Sequence, residues 1–139
     1  MALNLVYRNT DAKNRVENLG KTLAPGVPVI SKAGLPANTE TGSADYTVSE
    51  TVGQYTVSGI PAGGVGLKGQ EVTIFFDGTY AHPVAGATGA TAQGTKVYIT
   101  AAGALNLTSS GNTEYGYVDW SPDYDRTSTL TPVRIGERV

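Results

Sequence analysis

No cysteine occurs in the 139 residues, which excludes a disulfide framework and a thiolate metal site. Histidine occurs once, at His82, so a metal would have to draw mainly on carboxylates and carbonyls. Charged residues make up only 16% of the chain, and the net charge of −2 leaves no basic footprint for nucleic acid. No apolar run approaches the roughly 20 residues that span a bilayer. The start, "MALNLVYRNTDAKNR", lacks the apolar h-region of a signal peptide. The expectation is a protein made and used on the cytosolic side, or released from there by lysis, with neither a membrane nor a nucleic acid as partner.

What is abundant points one way. Glycine and threonine stand at 18 each, and valine outnumbers leucine 14 to 9. Thr and Val suit a pleated, half-buried surface and are indifferent helix formers, while Gly supplies the positive φ of tight turns. A chain of this length can bury a core without metal or disulfide help. The composition therefore predicts an all-β fold, a small β-sandwich or partly open β-barrel of about eight short strands. The one helix-tolerant stretch, 85–93, is interrupted by Gly86 and Gly89.

One motif suggests an enzyme. Gly64, Gly66 and Gly69 in "GGVGLKGQEVTIFFDG" spell G-x-G-x-x-G, the pyrophosphate fingerprint of dinucleotide enzymes. That fingerprint requires a helix to begin at the glycines, so that free N–H groups face the phosphates. Here Val72, Ile74 and Phe76 alternate with polar neighbours, which is a strand pattern. The glycines are expected to shape a strand-to-strand connection and to bind no nucleotide.

The remaining chain reads as an arm and a body. Residues 1–24 alternate briefly at Leu3, Leu5 and Tyr7, then turn polar, with Val16 and Leu19 too sparse for a buried helical face. They are expected to form an extended N-terminal arm whose order depends on a partner, followed by a single β domain over 25–139. "DYTVSE" and "QYTVSG" are near-copies that read as paired strands joined by "SETVG". Asp77-Gly78 signals a hairpin turn. The expected core is Val72, Ile74, Phe76, Val97, Ile99, Leu105, Leu107 and Val118, with Phe75 competing with Phe76 for the buried face of its strand.

No catalytic constellation emerges, and the chain is read as a non-enzyme that needs no cofactor or metal. His82 has no nucleophile motif to serve. Asp119, Asp123 and Asp125 fit no calcium loop and are interrupted by Pro122. The eight tyrosines could form a sugar platform, but their strand positions suit cross-strand packing. Charge is segregated instead. Residues 1–39 carry five basic side chains against two acids, residues 40–125 nine acids against two bases, and residues 126–139 three bases against one acid. Both ends can thus lie on an acidic partner or an adjacent subunit.

The order of these pieces, above all "GTKVYIT" followed by "GNTEYGYVD" within residues 25–120, resembles the lambda-type head decoration (capsid cement) proteins of tailed bacteriophages. The resemblance implies a β-tulip-like fold and a structural role on the outer surface of the expanded capsid, where the protein would stiffen the shell against internal pressure. It implies the major capsid protein as partner, a homo-oligomer, commonly a trimer, and a location on the virion after synthesis in the host cytoplasm. In that family an N-terminal arm docks on the shell and can add a strand to its sheet. Carried over here, the docking residues are Leu3, Leu5, Tyr7, Arg8, Lys13, Arg15 and Lys21. The long arm and the tail "SPDYDRTSTLTPVRIGERV" depart from the shortest members. The alternatives are a phage tail or fibre β-module binding a receptor carbohydrate and, less in keeping with a single histidine, a hydrolase.

Overall fold

Period-two runs of Val, Ile, Thr and aromatic residues become strands here, and glycines close most of them. In the computed structural model, which describes residues 4–7 and 14–136, the described chain is all-β without a helix. In order the strands are β1 (Leu5–Tyr7), β2 (Asn14–Asn18), β3 (Pro28–Ile30), β4 (Pro36–Thr39), β5 (Thr47–Val52) and β6 (Tyr55–Pro61). The second half contributes β7 (Glu71–Phe75), β8 (Gly78–His82), β9 (Val84–Ala85), β10 (Lys96–Ile99), β11 (Leu105–Asn106), β12 (Thr113–Val118) and β13 (Thr131–Ile135). A seven-stranded sheet in the order β1-β8-β13-β12-β10-β11-β9 curls into a half-barrel. A four-stranded sheet, β2-β7-β4-β3, and the separate hairpin β5-β6 complete the fold.

Each larger sheet carries its own apolar cluster. Tyr80, Val97, Ile99, Leu105, Val118, Trp120 and Val133 belong to the first, and Val29, Ala37, Val72 and Ile74 form the second. The two clusters meet at the end of β7, where Phe75 packs on the first and Phe76 on the second. A hydrogen bond also joins the sheets. The hydroxyl of Tyr115 on β12 donates to the carbonyl of Ala37 on β4 at 2.7 Å in a buried position.

The last strand is the most enclosed. All five residues of β13 are buried, between β8 on one side and β12 on the other. One of them is Arg134, 1% exposed, whose guanidinium lies 3.1 Å from the carboxylate of Asp77. Gly116 of β12 sits against the Arg134 carbonyl with no room for a Cβ.

Six of the eight expected core residues are buried, whereas Phe76 and Leu107 are only partly covered. The glycine loop joins β6 to β7, with φ of 83° at Gly66 and 54° at Gly69, and no helix starts there. The repeated "YTVS" segments do pair, with Val52 opposite Tyr55. Their turn lies at Gly53, so "SETV" is strand. Asp77-Gly78 is a correction. β7 and β8 belong to different sheets, so this pair turns a corner between layers instead of closing a hairpin. The reason lies at long range: β8 takes β13 as its neighbour, and Asp77 is drawn to Arg134. β4 was not among the expected strands; it begins at Pro36, and proline is tolerated at the first residue of a strand.

Two substitutions test this packing. Gly116→Ala forces a methyl against the β13 backbone and should cost about 1–3 kcal/mol. Tyr115→Phe removes the buried hydrogen bond between the sheets, while the Ala37 carbonyl keeps its place in the β3-β4 ladder, and should cost about 0.5–1.5 kcal/mol. Urea denaturation would read both. Phe76→Ala, at a half-covered site, should fall below the about 3–5 kcal/mol of a fully enclosed phenylalanine.

Candidate interaction surfaces

The N-terminal segment is placed in two pieces. β1 pairs antiparallel with β8, Leu5 opposite Tyr80 and Tyr7 opposite Thr79. Just before it, the Asn4 side-chain amide donates to the Asn38 side-chain oxygen and the Ala81 carbonyl, and the Asn4 carbonyl accepts from Ala81 N–H. β2 pairs along its whole length with β7, from Asn14 opposite Phe75 to Asn18 opposite Glu71. The expected strand therefore exists, but the edge it covers belongs to its own chain. β1 caps the edge of β8 and β2 caps the edge of β7. Leu5 and Val16 remain 39% and 48% exposed on these outer strands.

The candidate docking residues divide accordingly. Leu3, Arg8 and Lys13 lie outside the described residues. Arg15 is partly engaged at home, 3.1 Å from the buried carboxylate of Glu17 and with its guanidinium over the Phe76 ring. Glu17 also accepts from Lys32 N–H. Lys21 is exposed and lines a groove beside β3 together with Lys32.

The β5-β6 hairpin is a surface that sequence reasoning recognised as strands but not as a projection. All six residues of β5 are exposed, as are all but one of β6. Residues opposite one another on an antiparallel pair share a face. Val52 with Tyr55, Glu50 with Val57 and Val48 with Ile60 therefore form one face, while Thr51 and Thr56, whose hydroxyls are 3.0 Å apart, lie on the other. A bulge between Val48 and Glu50 keeps Ile60 on the apolar side. Val52, Tyr55 and Val57 are 68%, 71% and 57% exposed. The signal was the alternation itself; what it left undetermined was whether the body would cover the apolar face. At the hairpin root Gly42 bridges Gly63, and Gly63 lies so close to Ala44 that a Cβ could not be added.

His82, Asp119 and Asp125 are each engaged within the chain. His82 is 2% exposed, its ring edge-on to Tyr115, and its Nδ1 faces the Asn4 amide at 3.5 Å. Burial lowers its pKa from 6.5 to about 4. Asp119 accepts from Thr79 and Gln93, and Asp125 from the backbone and hydroxyl of Thr127. Those bonds hold the Asp125 carboxyl below its usual range. Among the described residues no three His, Asp or Glu side chains stand together as a metal-binding group. Trp120 is buried, with its indole N–H donating to the Thr91 carbonyl. Of the tyrosines whose side chains are described, only Tyr55 stands exposed; the others are half-buried or buried. Compared with family models, curated proteins and solved structures, the chain matches none.

The histidine makes a pH prediction. Its folded pKa lies below the unfolded value, so the unfolded chain binds the extra proton first. Stability is complete above pH 6.5 and is lost as pH falls toward 4, by up to about 3 kcal/mol. Urea midpoints measured from pH 7.5 to 4 should show this slope, and His82→Gln should flatten the part between 6.5 and 5.

Proposed function

We propose that this chain is a head decoration protein of a tailed bacteriophage, a non-enzymatic, cofactor-free virion component that covers the outer surface of an expanded capsid and stiffens it. The observation that carries the reading is a body with its core internally complete but its periphery built for contact. Strand β1 is an outer edge of the large sheet, and the hairpin holds an apolar face into solvent. An uncovered strand edge can pair with a strand of the major capsid protein through main-chain hydrogen bonds, which place little demand on side-chain identity. The lattice of a shell repeats the site, so modest single contacts add up to tight attachment. The resemblance of "GTKVYIT" and "GNTEYGYVD" to the cement family supports the same reading, including assembly as a homo-oligomer, with three copies as the family's usual number.

Placement of β1 and β2 changes how the arm is tested. Deleting residues 2–20 removes two edge strands as well as basic charge, so the thermal midpoint should fall along with binding. A charge reversal isolates the docking contribution. Arg8→Glu combined with Lys13→Glu, with an unchanged thermal midpoint as the check on folding, should weaken binding to purified expanded heads at least tenfold at low salt, converging with the parent as salt screens the contact. Undiminished decoration would remove the arm from the docking surface. A chain that ignores expanded heads yet is retained by a glycan array would favour the second reading, a carbohydrate-binding tail module, which exposed Tyr55 supports.

A further inference from the structure

We propose that the β5-β6 hairpin of one copy docks, apolar face down, into the groove beside β3 of a second copy, with Glu50 meeting Lys21 and Lys32. Two surfaces of this chain are left incomplete, and each has what the other lacks. The hairpin presents Val48, Val52, Tyr55 and Val57 around a single carboxylate, Glu50. The groove, about 670 Å³, is lined by Leu19, Pro28, Ile30 and Ile99 together with the two lysines, and no carboxylate is among its lining residues. Among the described residues neither lysine nor Glu50 is in an ion pair. No hairpin residue lines the groove of its own chain, so the match is made between copies.

Three physical arguments favour a second copy. A lone two-stranded hairpin is marginal in water, and an apolar face at strict alternation is a face to be covered. Stacking two hairpins face to face across a two-fold axis would bring Glu50 toward Glu50, a like-charge contact in a desolvating interface. A hairpin-to-groove contact avoids this and joins the acidic block of one chain to the basic block of the next. Such a head-to-tail interface closes into a ring when its rotation permits. The tight crossing of Gly63 on Ala44, with Asp45 N–H bonded to Gly69, fixes the direction in which the hairpin leaves the body.

The proposal is independent of any shell, so its test uses the free protein and its failure leaves the capsid reading to the binding experiment above. With no native cysteine, disulfide trapping has no background. Glu50→Cys and Lys32→Cys chains, purified separately, mixed and mildly oxidised, should yield a disulfide-linked heterodimer. Ser58→Cys, on the threonine face of the hairpin, should link to Lys32→Cys at least tenfold less. Sedimentation should show that Glu50→Lys lowers self-association at least tenfold, and so should Lys21→Glu with Lys32→Glu. Combining the three should restore it. Circular dichroism with an unchanged thermal midpoint checks that each chain is folded, and Val57→Asn serves as a second hairpin variant should a cysteine chain fail. A monomer at every concentration, equal linkage from Ser58→Cys, or linkage of Glu50→Cys only to an added shell protein would overturn the proposal.

Discussion

Enclosure of the last strand is the constraint on which the rest of the architecture depends. β13 fills the space between β8 and β12, and without it the large sheet would be two separate pieces. Its close approach to β12 is possible because Gly116 carries no side chain where the Arg134 carbonyl passes. Burying Arg134 then requires a counter-charge, since an unpaired guanidinium in the interior is heavily penalised. Asp77 supplies it from the corner at which the chain leaves the small sheet for the large one. One ion pair thus ties the layer crossing to the closing strand, and contacts far apart in sequence become mutually dependent.

The periphery follows a different logic. The core clusters are satisfied within one chain, whereas the edges are only capped, by short strands drawn from the N-terminal segment. Edge strands of this kind leave their outer hydrogen-bonding groups available for another chain. The hairpin goes further, because an apolar stripe in water is a cost with no return inside the monomer. Rigid anchoring at its root places that stripe at a defined position, as an interaction element requires. The proposed covering role would use this division between a self-sufficient interior and an unfinished exterior.

His82 is enclosed by the body. It sits beneath β1, held between Asn4 and Tyr115, and its depressed basicity follows from desolvation with no charged partner involved. Asp119 and Asp125 are likewise used to bridge loops and fix a turn. These groups define the stability of the body, and the surfaces define what it meets.

Composition and alternation alone determined the all-β class, the absence of a helix at the glycine motif, most of the core and the pairing of the two "YTVS" strands. Those are local properties: side-chain period, β-branching and glycine turns are written in neighbouring residues. Tertiary structure decided everything that depends on which edge meets which. Asp77-Gly78 carries the signature of a hairpin, yet the competition of β13 for β8 makes it a corner. Val16 and its polar neighbours read as an arm in want of a partner, yet β7 offers an edge within the same chain. The hairpin's apolar face is visible in the alternation of Val48, Val52 and Val57, but its exposure is not, because burial depends on whether distant elements pack over it.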